Sequence, residues 1–356
     1  MLVSHVEADN FRSFQKVGCS FSKNLNTIIG PNGSGKTNLL ELIYFSLTGK
    51  GLRTTDDLDL LLTKTDFLRT ESKYSKDGIA KTIKILFNKE NGKDITLNGR
   101  INEKTLSLFY ESNLVVFSPS SSQLIKGGPA IRRNFLDRIL MKLNKEFSMI
   151  LSKYAQTLRN RNAVLKRRLK ESGDDHLYEI LTQNIVSFSQ IIQEERKKMV
   201  EIFNESIIQS TQTMNLSDLA DIKFIYSPFY FTVRYFDQLR YDEIKKGISL
   251  IGSHLDQVHV KKDDLYAKSY CSEGEQKLIT FLCKLCEFQL IEKMTKNVPI
   301  LLLDDLSSEL DDENALKAIH SVRDRAQIFL TSLHSPILEG ETNISLERNQ
   351  REIWIQ

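Results

Sequence analysis

Residues Gly30-Pro31-Asn32-Gly33-Ser34-Gly35-Lys36-Thr37 fill every position of the Gly-x-x-x-x-Gly-Lys-Thr phosphate-binding pattern. A short apolar run, Leu25–Ile29, precedes it and a helical one, Asn38–Thr48, follows, so a strand must turn directly into a helix. Glycines let the backbone curl until several N–H groups point at one anion. The helix N-terminus adds partial positive charge. Lys36 is placed to reach the outer phosphates of a nucleotide, and Thr37 to offer a hydroxyl to Mg²⁺. Gly30 to Asn38 are therefore the expected ATP-binding segment, in an α/β fold.

The rest of the composition narrows the class. At 356 residues the chain holds two or three domains, or one domain with a large insertion. A net charge of +3 does not announce nucleic acid, so any DNA surface must come from local patches. The N-terminal M-L-V-S-H-V-E-A-D-N-F has no basic segment followed by an apolar core, which argues against a signal peptide. No run approaches the roughly 20 apolar residues of a membrane span. A cytoplasmic protein without membrane contact is expected. Cys283 and Cys286 form a C-x-x-C inside an apolar helical pattern, with no second pair at metal-ligand spacing, and read as core packing.

Along the chain, the first 118 residues read as strands with one helix. Strand patterns fall at Leu2–Ala8, Val17–Phe21, Leu25–Ile29 and Val115–Phe117, with Thr82–Phe87 and Asp94–Leu97 flanking a turn. From about Ile131 to Gln209 the period is helical, with Phe135, Ile139, Leu140 and Leu143 on one stripe and a break at Glu171–Asp175. Strand patterns return at Ile222–Tyr226 and Phe229–Val233. Near the end come a buried strand, Ile300–Leu303, a helix over Glu313–Arg325 and another buried strand, Ile328–Leu330. The expected division is an ATPase domain from 1–118 and 256–356, with 119–255 as an inserted, mainly helical lobe.

Ile300–Leu303 followed by Asp304-Asp305 has the form of a Walker B strand. Asp304 is expected to hold Mg²⁺ with Thr37, and Asp305 to orient or deprotonate the attacking water, a catalytic role shared with Lys36. More than two-thirds of the chain separates Lys36 from Asp304, so something large is inserted between them. Ser308-Glu309-Leu310-Asp311 has the shape of a D-loop, with Ser308 and Asp311 its key positions. Upstream, Ser272-Glu273-Gly274-Glu275 opens a helical run. Alone it reads as a helix N-cap. Placed before a Walker B strand and a D-loop, in that order, it is similar to the signature motif of ABC-type ATPases. There it caps the nucleotide of a second subunit, which implies an ATP-dependent homodimer.

With these motifs in place the chain resembles the RecF family of bacterial DNA replication and repair proteins. The segments that carry the likeness are P-S-S-S-Q-L-I-K-G-G-P-A-I-R-R-N-F-L-D at Pro119–Asp137, N-F-R-S-F at Asn10–Phe14 and G-K-T-N-L-L-E at Gly35–Glu41. Others are Tyr154 with L-R-N-R-N-A-V-L-K at Leu158–Lys166, and D-D-L-S-S-E-L-D at Asp304–Asp311. The resemblance implies an ABC-type, SMC-like ATPase head with an inserted helical lobe, using ATP and Mg²⁺ in slow, DNA-stimulated hydrolysis. It implies binding of double-stranded and gapped DNA at the nucleoid, and work with RecO and RecR to load RecA at gaps. It places Arg12 near the nucleotide phosphates and Arg53 in the same lobe. Arg132 and Arg133 become anchors of the helical lobe. The chain departs from the family at Ser120, Ser253, Leu255 and Asn314, and reads Cys271-Ser272-Glu273-Gly274 where Leu-Ser-Arg-Gly is usual.

Arg159, Arg161, Lys166, Arg167, Arg168 and Lys170 form a basic stretch. Spacing alone reads it as a solvated helix face; the resemblance adds DNA contact as an equal reading. No repeated aromatic platform is present, so backbone contacts are expected. Gln123 is a candidate Q-loop residue, and His334, two places after Thr331-Ser332, a displaced switch histidine. Two other readings remain at this point: an ATPase subunit of a membrane transporter, and a nucleotide-dependent scaffold with little turnover.

Overall fold

An apolar run without alternation suits a strand buried on both faces, and all four residues of Ile300–Leu303 are buried. The computed structural model describes residues 1–101, 103–168, 175–231, 233–306, 312–333, 341–348 and 350–355. Leu25–Ile29 (β3), Leu114–Phe117 (β8), Ile300–Leu303 (β12), Ile328–Ser332 (β13) and Thr342–Ser345 (β14) form one sheet. Its order is β14-β3-β13-β12-β8, and every pairing is parallel. All carboxyl ends therefore lie at one edge, where open parallel sheets bind ligands.

A second sheet of seven strands, largely antiparallel, is built from Leu2–Phe11 (β1), Phe14–Ser20 (β2), Phe67–Lys76 (β4), Ile79–Asn88 (β5), Gly92–Leu97 (β6), Arg100–Ile101 (β7) and Glu352–Ile355 (β15). Along β4 every second residue faces inward, at Leu68, Thr70, Ser72 and Tyr74. The helix after the phosphate loop, Lys36–Thr48 (α1), touches β1, β4 and β5 of this sheet and β13 of the other. Leu39, Leu40, Leu42, Ile43, Phe45 and Leu47 are all fully buried there, as expected of a helix apolar on every side. The short helix Thr105–Glu111 (α2) completes the region before β8.

The chain divides into two units, 1–121 with 287–356, and 122–286. The second unit thus runs past the expected boundary at 255. Backbone pairing explains why: Lys223–Ser227 (β9) pairs antiparallel with Gln257–Lys262 (β10), which pairs with Leu265–Tyr266 (β11). Its helices are Gln123–Lys126 (α3), Pro129–Leu143 (α4), Lys145–Arg168 (α5), Asp175–Thr213 (α6), Val233–Lys246 (α7) and Ala267–Tyr270 (α8), and it includes the start of Glu273–Thr295 (α9). Asn144 splits what reads as one helix: its Oδ1 accepts from the N–H groups of Glu146 (2.9 Å) and Phe147 (3.1 Å), starting α5 afresh. The described residues of the expected strand Phe229–Val233 do not form one. Pro228 ends β9, the Phe229 N–H is taken by Asp256 Oδ1 at 2.9 Å, and α7 begins at Val233.

Two buried arginines tie this unit together. Arg161 is wholly buried, so it is not the DNA contact its place in the basic stretch suggests. Its guanidinium pairs with both Glu243 oxygens (2.9 and 2.7 Å) and donates to Thr182, Ser249 and Tyr178. Arg196 pairs with both Asp137 oxygens (2.8 Å each) and with Asp256 Oδ2 (2.7 Å). Removing one partner of such a pair leaves the other charge buried alone. Arg161→Met is therefore expected to lower the unfolding free energy by about 3–5 kcal/mol, measured by denaturant titration. Wild-type stability in that variant would contradict the pairing.

Candidate nucleotide site

The phosphate loop leaves the carboxyl end of β3. Gly33 and Gly35 have φ of 81° and 99°, a left-handed backbone that favours glycine. A Cβ on Gly35 would also lie 3.0 Å from the Phe14 ring. Lys36 is nearly buried, and its Nζ donates to the carbonyls of Gly30 (2.6 Å) and Pro31 (3.0 Å). Burial pulls its pKa down, while Asp305 and Asp304 push it back up. Ser34 Oγ is buried with no hydrogen-bond partner, as expected of a hydroxyl in a loop shaped for an oxyanion.

The carboxyl end of β12 brings Asp304 to the same place. Thr37 Oγ1 donates to Asp304 Oδ1 at 3.0 Å, and Thr331 Oγ1 donates to the same oxygen at 2.9 Å. Thr331 Oγ1 in turn accepts the Asp305 N–H at 2.8 Å. Asp305 itself sits at φ 54°, a strained conformation for a residue with a side chain. Burial raises the Asp304 pKa, and the two threonine hydrogen bonds oppose the rise. Carboxylate and hydroxyl oxygens together suit a hard cation such as Mg²⁺, so these residues fit the metal. A cavity of about 240 Å³ opens between Lys36, Thr37, Arg53, Asp304, Asp305 and Thr331. Thr331 is a site residue that the motifs did not single out. The available signal was a hydroxyl near the end of the buried strand next to Walker B.

A larger cavity of about 860 Å³ adjoins the loop at Gly33, Ser34 and Asn38, with Arg12 and Arg53 on its wall. It has room for a nucleoside. Both arginines are ion-paired with Glu41, at 2.9 and 2.8 Å. The structure thus brings together Arg12, Gly30, Pro31, Asn32, Gly33, Ser34, Gly35, Lys36, Thr37, Asn38, Asp304 and Asp305, all within the first unit.

The remaining expected residues lie elsewhere. Ser272, Glu273 and Gly274 are exposed in the second unit, at the start of α9. Ser272 Oγ accepts the Glu275 N–H (3.3 Å) and Glu275 Oε2 accepts the Ser272 N–H (2.8 Å), a reciprocal helix cap. Lys262, at 2.6 Å, and these bonds hold the Glu275 carboxyl down at about 2. Ser272 Oγ accepts here, so its own proton remains available for an oxyanion. Arg159, Lys166 and Arg167 are exposed on α5, and Arg168 is half-buried over the Tyr178 ring. Arg132 Nε and Arg133 Nη1 donate to the carbonyls of Val258 (2.5 Å) and Asp256 (2.6 Å), inside the second unit. Gln123 begins α3 in that unit and lines neither cavity. Lys170, Ser308, Asp311 and His334 lie outside the described residues.

Likeness to known proteins extends over nearly the whole chain. The RecF/RecN/SMC N terminal domain family matches residues 2–353. The DNA replication and repair protein RecF of Lactobacillus johnsonii is 31% identical over 348 residues, covering 93% of this chain and 92% of that protein. The same-named protein of Halalkalibacterium halodurans is 27% identical, covering 96% and 95%. Among solved structures, the recombination mediator protein RecF with ATP, of the RecFOR pathway, superposes with a TM-score of 0.90 at 25% identity, covering 98% of this chain and 96% of that one. An Smc head bound to the C-winged helix domain of ScpA shares the fold, with a TM-score of 0.54 at 16% identity and coverage of 94% and 90%.

Thr331→Val deletes a hydrogen bond to an ionised carboxylate. The Mg²⁺ concentration for half-maximal hydrolysis is expected to rise about tenfold, with Mg²⁺-free ATP binding unchanged. An unaltered Mg²⁺ requirement would show that Thr331 does not set Asp304.

Proposed function

This chain belongs to the RecF family, and from that premise we propose that it is an ATP-dependent DNA-binding protein of recombinational repair. The observation that carries the reading is the meeting of Thr37 and Asp304 beside Lys36, which gathers phosphate- and metal-binding groups in one place. Lys36 and the loop N–H groups hold the outer phosphates. Thr37 and Asp304 hold Mg²⁺, which, when bound, offsets charge on the phosphates. Asp305 orients the attacking water. The exposed Ser272–Glu275 cap completes the site of a second copy, so ATP draws two chains together over DNA and hydrolysis parts them. RecO and RecR are the proposed partners, by likeness to the relative solved in the RecFOR pathway. The names of the curated relatives favour neither the transporter nor the scaffold reading.

The DNA surface we propose is the outer face of α5. Lys153, Arg159, Lys166 and Arg167 are all exposed, over about 21 Å of helix. The helix has one carboxylate, Glu146, in its first turn. Some exposed lysines elsewhere are paired, as with Lys198–Glu195, Lys223–Asp264 and Lys317–Glu313. A row of cations without such partners among the described residues suits phosphate contacts with little base reading.

Steady-state ATP hydrolysis with gapped duplex, plain duplex, single strand and no DNA tests the function. Stimulation by gapped or plain duplex is expected; turnover indifferent to DNA, with ATP still bound, would overturn the DNA reading. Replacing Arg159, Lys166 and Arg167 by glutamate is expected to weaken duplex binding at every sequence. It should also flatten the slope of log affinity against log salt by roughly 0.9 for each phosphate no longer neutralised. An unchanged slope would move the DNA surface off α5.

A further inference from the structure

Glu41 lies on the first turns of α1 and its side chain is wholly buried. A buried carboxylate is tolerated only when paired and hydrogen-bonded. Here two guanidinium groups share it. Arg12 donates through Nε (2.9 Å) and Nη2 (3.2 Å), and Arg53 through Nε (3.3 Å) and Nη2 (2.8 Å). The N–H groups of Leu52 (3.0 Å) and Arg53 (3.1 Å) fill its remaining acceptor positions. Burial pushes the Glu41 pKa up, but the arginine hydrogen bonds prevail and hold it below the ordinary carboxylate range.

The same two arginines are fixed at their other ends. Arg12 Nη1 donates to the Asp59 carbonyl (2.6 Å), and its own N–H to the Leu60 carbonyl (2.8 Å). Its backbone is left-handed at φ 52°, an arrangement that surrounding contacts must impose. Arg53 Nη2 donates to Asn38 Oδ1 (2.6 Å), and Asn38 Nδ2 to Ser13 Oγ (2.8 Å). A continuous polar chain therefore runs along the rim of the phosphate loop, with Glu41 at its buried end. Arg12, Arg53 and Arg351 stand on the wall of the larger cavity against the carboxylates of Asp59 and the buried Glu41, so positive charge is left over there. Arg53 lines both the larger cavity and the one holding Asp304 and Asp305.

We infer that Glu41 is a positioning residue for nucleotide binding: it fixes Arg12 and Arg53 in a single geometry beside the phosphate loop, where a polyphosphate meets both. This rests on the ATP reading above. Glu41 touches no ligand itself; it acts through the arginines, which arrive from separate segments of the chain and have no other shared anchor among the described residues.

The test is a cycle of Glu41→Gln, Arg53→Ala and the double variant in the full chain, read by titration with a fluorescent ATP analogue, with melting temperature alongside. Glu41→Gln keeps shape and acceptor but loses the charge. Its ATP affinity is expected to fall about tenfold, and in the Arg53→Ala background by less than half that factor. An equal factor in both backgrounds, or an affinity unchanged while the melting temperature drops, would overturn the positioning role and leave Glu41 as a fold anchor. Should Glu41→Gln not fold, Glu41→Asp, which keeps the charge and shortens the reach, is expected to lose affinity in the same coupled way. Wild type that binds no ATP would instead defeat the nucleotide reading, whatever Glu41 does.

Discussion

One hydroxyl–carboxylate contact joins two residues far apart in the chain. Thr37 and Asp304 are 267 positions apart and lie 3.0 Å from each other. That distance depends on the parallel register of β3, β13 and β12, in which Thr27, Leu330 and Leu303 stand side by side. Parallel neighbours require a crossover in any case. The entropy of closing a longer connection grows only slowly with its length. A whole second unit can therefore be placed between β8 and β12 while those strands still pair directly.

The phosphate loop and the Walker B strand were legible because local backbone demands fix their residues. Positive φ at Gly33 and Gly35 favours glycine, and four buried residues in β12 require an apolar run. Features set by distant partners were not legible. β4 hides in the sequence because its inward positions include Thr70 and Ser72, small hydroxyls that break the apolar alternation. Phe229–Val233 reads as a strand until Asp256 takes the Phe229 N–H. Arg159 and Arg161 are two steps apart and look alike, yet one is exposed and the other buried against Glu243. Only the fold of α7 against α5 decides between them. Glu41 ends the Gly35–Glu41 motif, but its purpose depends on Arg12 and Arg53, which reach it from two other segments.

The two units use charge differently. In the second, buried pairs such as Arg196 with Asp137 and Asp256 are fully hydrogen-bonded and specify one packing. In the first, charges around the loop are left partly unbalanced: Lys36 rests on carbonyls, and two arginines share Glu41. Left-handed backbone at Arg12 and Asp305 sits in that same region. Surplus positive charge beside the loop suits a bound anion. Ser272 and Gly274 are exposed, with open space beside Gly274, and offer the same chemistry at a helix start.

The most direct measurement mixes two disabled chains, one carrying Ser272→Arg and the other Asp305→Asn, and follows ATP hydrolysis. Each alone should turn over little. In a mixed dimer, the intact loop and carboxylates of the first chain meet the intact signature of the second, and turnover should return. No recovery, with both chains binding ATP and associating, would contradict a nucleotide site shared between two copies.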